Sequence, residues 1–187
     1  REIDQEINRG LIVYIPSYIC QQIINHNLLP DSGVWVDVGS YYGGCQSLLR
    51  KHFPNTTNVL VDFHHQLCRS YIFLSQTYPD TEHILPDKIS NYKSLDDIPK
   101  GSFVYLPVSD YHKIANQKVS LVTNFFSLGE MNRKFHSIYM NSVLFQESKK
   151  VYLINRWVSS PFFEKTYDND ISIIDYMSNK QKIEYFD

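Results

Sequence analysis

Five short apolar runs alternate with stretches of helical periodicity, and this alternation predicts the fold. Each run is five or six residues long and rich in β-branched residues, which is typical of strands buried on both faces of a parallel sheet. Alternation of such strands with helices predicts right-handed crossovers. The five predicted strands cover residues 34–38, 58–63, 103–107, 119–124 and 151–155, and the helices after the first, second and fourth cover residues 44–53, 65–78 and 132–145.

The two ends of the chain have different patterns. Residues 11–29 carry apolar positions spaced by three and four, which predicts an amphipathic helix, and the connection 79–101 is a predicted loop with a short strand near Ile84. Near the other end, residues 171–176 and 182–186 flank a Ser-Asn-Lys turn and predict an antiparallel hairpin.

Together these elements predict an α/β fold of Rossmann-like type, a three-layer α/β/α sandwich. Its sheet is expected to have seven mostly parallel strands, closed by the C-terminal antiparallel hairpin. We expect an N-terminal helical segment, 1–32, to pack on a core domain, 33–187. Because the chain opens with Arg1 rather than Met, we expect it to be a piece of a longer protein.

Three of the seven glycines lie in one stretch, directly after the first predicted strand. Gly39 is placed to allow a tight turn, and Gly43 and Gly44 are placed to let the following helix pack against the strand. Open α/β sheets bind ligands at this carboxyl edge, where backbone N–H groups of a helix N-terminus are exposed. The pattern predicts a ligand-binding turn.

Two carboxylates indicate which ligand the turn binds. Asp37 precedes the turn glycine, where it would repel a pyrophosphate but suits a cationic ammonium, so S-adenosylmethionine is favoured over NAD. Asp62 ends the second strand, about 20 residues beyond the loop, where a carboxylate can accept both ribose hydroxyls of an adenosyl group. In the alternative interpretation, both acids only cap helices and the glycines only serve turns.

Residues 36–44 resemble the strand-plus-glycine motif of class I S-adenosylmethionine-dependent methyltransferases, and in particular of the sugar O-methyltransferase family, whose loop reads E-V-G-G-G-Y-G-G. The matching positions are Asp37, Val38, Gly39, Tyr42, Gly43 and Gly44, the first of them conservative. Three further segments match in order: 59–62, 124–131 (N-x-x-S-x-x-E-M) and 152–156 (aromatic-x-x-N-R). The resemblance covers residues 33–157. Ser40 and Tyr41 replace glycines, and His64 replaces a proline.

The resemblance implies roles for individual residues. Glu130 is the implied general base for a sugar hydroxyl, with Asn155 and Arg156 as acceptor contacts. The implied cofactor-binding residues are Asp37, Gly39, Ser40, Tyr42, Gly43, Asp62, Phe63, Ser109 and Asn124. Two alternatives stay open for Glu130: it also suits a helix dipole as a first-turn glutamate, and a histidine such as His64 or His65 could act as the base instead.

Composition and charge narrow the functional classes. Hydrophobic residues make up 43% and charged residues 20%, as in globular domains, and the net charge of −2 gives no electrostatic footprint for nucleic acid. The seven histidines have no metal-ligand spacing. Three cysteines without a CxxC pair, no signal peptide and no apolar run long enough for a membrane span predict a cytoplasmic protein.

The leading hypothesis is therefore an S-adenosylmethionine-dependent O-methyltransferase acting on a sugar that is free, nucleotide-linked or part of a glycan. One rival is a binding or scaffold domain that keeps the fold without turnover, which Ser40 and Tyr41 in the loop favour. An NAD-dependent Rossmann enzyme is the third. The sequence does not distinguish oligomeric states or identify the acceptor.

Overall fold

A sheet of six strands, all paired in parallel, forms the middle layer of the fold. The computed structural model describes residues 15–155, 171–177 and 180–184. The strand order is β3-β4-β2-β1-β5-β6, so the order reverses beside β1. In chain order, the strands are β1 (Ser32–Val38), β2 (Asn55–Asp62), β3 (His83–Ile84), β4 (Phe103–Pro107), β5 (Leu121–Phe125) and β6 (Val151–Ile154).

Helices cover both faces of this sheet, which confirms the Rossmann-like α/β class. The described helices are α1 (15–25), α2 (Gly44–Leu49), α3 (His64–Thr77), α4 (Arg133–Met140) and α5 (Val143–Glu147). The first three lie on one face and the last two on the other. The longest of them, α3, has 14 residues, and no helix in the described ranges has the length and apolarity of a bilayer crossing.

Alternation along β1 explains how the two faces are filled. Trp35 packs with Ile19 and Ile23 of α1, whereas Val36 and Val38 belong to a second cluster that includes Phe145 of α5. Each of these side chains is at most 2% exposed. Burying one such aliphatic or aromatic side chain stabilises the fold by about 1.5–3 kcal/mol, so both helical layers are tied to the central strand.

The predicted C-terminal hairpin is wrong, and within the described residues the sheet has six strands rather than seven. Ile173–Tyr176 forms a 3₁₀ turn, begun by a capping box in which Ser172 and Asp175 exchange hydrogen bonds. Residues 182–184 have no regular secondary structure, and 185–186 lie outside the described residues. The Ser-x-x-Asp spacing favours a helical turn locally, and it outweighs the weak alternation of apolar residues.

Two predicted helices also differ in extent. The helix predicted at 132–145 is divided into α4 and α5, because Asn132 and Ser142 each act as an N-cap, accepting from Phe135 N at 3.0 Å and Phe145 N at 3.3 Å. Of the helix predicted at 11–29, residues 15–25 are helical and 26–29 turn away, while 11–14 lie outside the described residues. The short strand near Ile84 is confirmed.

Two neighbouring isoleucines test the corrected C-terminal structure. Ile171 is fully buried, whereas Ile174 is 73% exposed. We expect Ile171→Ala to lower the free energy of unfolding by about 2–5 kcal/mol through the cavity it creates, and the matched control Ile174→Ala to change it by less than about 0.5 kcal/mol. Urea denaturation measures both. Equal effects of the two substitutions would contradict this packing.

Candidate functional site

The carboxyl ends of β1, β2 and β5 meet at one edge of the sheet. Val38 lies opposite Val61 of β2 on one side and Asn124 of β5 on the other. This is also where the strand order reverses, the place at which open α/β sheets form their ligand crevice. The three loops that leave these strands therefore form the candidate site.

A tight turn follows β1, as the glycine pattern predicts. Gly39 has φ +78° and its N–H donates to Val61 O at 2.8 Å. A side chain there would overlap Ser127, so a larger residue is excluded both by backbone conformation and by space. Gly43 has φ +83° and is the N-cap of α2, where a Cβ would lie 2.8 Å from Leu74 Cδ1.

Asp37 is buried beneath this turn and is held by two side chains. Its Oδ1 accepts from Thr123 Oγ1 at 2.6 Å and its Oδ2 from Gln46 Nε2 at 2.7 Å. Thr123 in turn accepts from Trp35 Nε1 at 2.8 Å. Burial raises the pKa of Asp37 from 3.8 to about 7, and the hydrogen bonds from Thr123 and Gln46 only partly oppose this.

Two buried polar atoms beside the turn have no hydrogen-bond partner among the described residues. One is Ser40 Oγ, in the turn itself, and the other is Gln46 Oε1, on the carboxamide that donates to Asp37. Burying a polar atom without a partner costs about 1–3 kcal/mol, so such atoms indicate a missing ligand or water. Both atoms can accept hydrogen bonds, which fits a cationic donor next to Asp37.

Asp62, at the end of β2, joins the loop after β1 to the start of α3 by hydrogen bonds. Its Oδ2 accepts from Tyr41 N at 2.8 Å and its Oδ1 from Phe63 N at 2.7 Å. Burial raises the pKa of this carboxyl, and the two backbone hydrogen bonds lower it. A carboxylate has about four acceptor sites, so Asp62 keeps capacity for further donors.

Asn124 is fully buried and joins three strand ends. Its Nδ2 donates to Val38 O at 2.6 Å and to Ser127 Oγ at 2.5 Å. Its Oδ1 accepts from Leu128 N at 3.1 Å and from Asn155 Nδ2 at 3.0 Å. Asn155 Oδ1 then accepts from Gly129 N at 3.0 Å. The described contacts of both asparagines are thus with the protein itself.

The other predicted site residues lie at the same edge but differ in exposure. Glu130 is half-buried at the end of a 3₁₀ turn, Ser127–Glu130. Phe63 is 56% exposed and Ser109 is exposed after β4, whereas Tyr42 packs its ring on Phe73, with centroids 5.4 Å apart. Arg156 lies outside the described residues. Within the described ranges, no group of three or more metal-ligating side chains is present.

Two aromatic residues at this edge have left-handed backbone conformations. Tyr41 has φ +54° and is 54% exposed, and Phe126 has φ +71° and is 39% exposed. A non-glycine residue in this region costs about 1–3 kcal/mol. Among the described non-glycine residues with positive φ, the third is Asn27, a residue type that tolerates this conformation.

Sequence reasoning missed Gln46 and Thr123, the two side chains that bind Asp37. Gln46 is 1% exposed, so it is a polar residue on the buried side of α2. Its signal in the sequence is a glutamine between the apolar positions of a short helix just after the glycine turn. Thr123 carries no such signal, since it contacts Asp37 across 86 residues of chain.

No family model and no curated protein matches this sequence. Solved structures that resemble it include PKMT2 from Rickettsia typhi in complex with AdoHcy, with 10% identity and a TM-score of 0.42 over 60% of this chain and 18% of that one. Another is an O-methyltransferase family 2 protein from Planctomyces limnophilus in complex with apigenin, with 10% identity and a TM-score of 0.41 over 68% and 38%. The chain thus spans less than half the length of either.

The raised pKa of Asp37 predicts a pH-dependent effect of Asp37→Asn. The folded protein holds the proton up to about pH 7, whereas the unfolded chain loses it near 3.8. The contribution of Asp37 to the free energy of unfolding is therefore fully present below about pH 4 and is lost as the pH rises through 7. An asparagine keeps the shape and can donate to the unpartnered Gln46 Oε1.

We therefore expect Asp37→Asn to gain stability relative to wild type as the pH rises from 4 to 8, by at most roughly 4 kcal/mol. Urea denaturation at pH 4, 6 and 8 measures the difference. Asp31→Asn, at an exposed position before β1, is the matched control and should show no such trend. A stability difference that stays constant with pH would contradict the assignment.

Proposed function

We propose that this chain is an S-adenosylmethionine-dependent O-methyltransferase whose acceptor is a sugar hydroxyl. The observation that carries the proposal is the set of acceptors around the glycine turn. Asp37 and the unpartnered Gln46 Oε1 are the proposed acceptors for an ammonium, and Asp62 on the next strand is the proposed acceptor for the ribose hydroxyls. Gly39 and Gly43 allow the turn that brings these acceptors to one edge.

Charge favours this cofactor over a dinucleotide. Asp37 and Asp62 lie at the carboxyl ends of adjacent strands, and two carboxylates there would repel an anion. A pyrophosphate would have to enter beside both carboxylates, whereas an ammonium would stabilise the ionised form of Asp37. Cofactor binding should therefore tighten as the pH rises through 7.

The proposed chemistry needs a base and an aligned acceptor. When bound, the sulfonium supplies an electrophilic methyl group. The acceptor oxygen would form a bond to the methyl carbon while the carbon–sulfur bond breaks. The electron pair of the broken bond would stay on sulfur, which leaves as a neutral thioether. Glu130 is the proposed acceptor of the hydroxyl proton, and its turn is fixed through the hydrogen bond of Gly129 N to Asn155.

The sugar acceptor and the contacts from Asn155 and Arg156 follow from the four ordered motifs that resemble the sugar O-methyltransferase family. The proposed cofactor-binding set consists of Asp37 and Asp62 together with Gly39, Ser40, Tyr42, Gly43, Phe63, Ser109 and Asn124. Asn124 contributes by holding the edge together, since its described hydrogen bonds are all internal. A cytoplasmic location stays part of the proposal.

A scaffold domain without turnover is the second candidate. Tyr41, in a left-handed conformation where the family has glycine, favours it, because its side chain occupies space at the turn. The two candidates differ in one result. A labelled saccharide product formed from methyl-labelled S-adenosylmethionine would refute the scaffold.

Calorimetry with S-adenosylhomocysteine tests cofactor binding directly. We expect the wild type to bind and Asp62→Asn to bind at least about tenfold more weakly, since an amide accepts fewer hydrogen bonds than a carboxylate. Asp31→Asn, at the opposite end of β1, is the matched control and should bind like wild type. Absence of binding by folded protein, or unchanged affinity in Asp62→Asn, would refute the proposal.

A further inference from the structure

Phe126 combines three features that a packing role does not explain. It is in a left-handed conformation, it is 39% exposed, and it has no ring-to-ring contact among the described aromatic residues. A glycine or asparagine would satisfy the backbone at no conformational cost. The ring is thus kept partly exposed at a position where the backbone conformation disfavours a side chain.

The position of Phe126 separates it from the cofactor side of the edge. Tyr41 and Phe63 flank Asp62, to which both donate their backbone N–H groups. Phe126 lies across β1 from them, where its N–H donates to Ile154 O at 2.7 Å at the end of β6. Its neighbours are the turn that carries Glu130 and the strand end that carries Asn155.

We propose that Phe126 is the platform on which the methyl acceptor stacks, through the apolar C–H face of a pyranose ring. This inference rests on the proposed function. An exposed aromatic ring attracts the partly positive C–H groups on one face of a sugar, and it offers a flat, rigid surface with little entropy to lose. Stacking leaves the ring hydroxyls at its rim, and Glu130, four residues along the same turn, is the proposed base for one of them.

The strained backbone explains why a single residue can act in this way. The left-handed conformation of Phe126 begins the 3₁₀ turn Ser127–Glu130, so ring and proposed base are set by the same turn. Within this turn, Ser127 Oγ accepts a hydrogen bond from Asn124 Nδ2 at 2.5 Å, and Gly129 N donates to Asn155 Oδ1. The backbone that carries the ring is therefore fixed relative to the backbone of Glu130.

The left-handed backbone conformation also allows a variant that removes the ring without straining the chain. Phe126→Gly removes the ring and suits the φ of +71°, so the fold should be kept. Phe126→Tyr keeps a ring at the same position. Phe135→Ala removes a phenylalanine that is also exposed, at 53%, but lies on α4 outside the site, and it serves as the matched control.

Saturation-transfer NMR on protein saturated with S-adenosylhomocysteine tests the platform, with methyl β-D-glucopyranoside and methyl β-D-galactopyranoside as the probes. We expect saturation of the C–H protons on one face of at least one probe in wild type, Phe126→Tyr and Phe135→Ala. In Phe126→Gly the signal should fall at least about fivefold, with the affinity for S-adenosylhomocysteine unchanged by calorimetry.

The outcomes separate this inference from the proposed function. If S-adenosylhomocysteine does not bind the wild type, the proposed function fails. If it binds but neither pyranoside shows transfer, or Phe126→Gly shows the same transfer as wild type, only the platform fails. Catechol serves as a third probe, and binding of catechol in place of the pyranosides that depends on Phe126 would overturn the sugar class.

Discussion

The carboxamide of Asn124 fixes the geometry of the carboxyl edge, and the glycine turn depends on it. Its hydrogen bonds join the last residue of β1, the turn after β5 and the end of β6. With no exposure to solvent, these bonds compete with no water. Loss of the side chain would leave several buried groups unpaired, each at a cost of about 1–3 kcal/mol. Gly39 must be a glycine because this arrangement brings Ser127 against it.

The polar residues of the edge divide into those that hold it and those with capacity left for a ligand. Asn124 and Asn155 hold the strand ends together, and their described bonds are internal. Asp62 does both, since it accepts hydrogen bonds from the backbone N–H groups of Tyr41 and Phe63 and retains further acceptor sites. Ser40 and Gln46 have buried atoms with no partner among the described residues. The chemistry proposed for the site depends on this second group.

The sequence predicted the five main strands because short apolar runs bounded by turns leave few alternatives to a buried strand. It also placed Gly39, Asp37 and Asp62 at adjacent strand ends, which follows from parallel topology. It misplaced the hairpin, since the capping box of Ser172 and Asp175 competes locally with strand alternation. Thr123 donates to Asp37, and Asn124 donates to Val38, each across 86 residues of chain, and no local pattern specifies such contacts.

A crystal structure with S-adenosylhomocysteine tests whether the acceptors around the glycine turn receive an adenosyl ligand. The predicted result has the ribose hydroxyls within hydrogen-bond distance of Asp62 and the amino group facing Asp37 and Gln46 Oε1. Density for the ligand at another place on the protein, or a ligand at this edge that leaves Asp62 bound only to Tyr41 and Phe63, would contradict it.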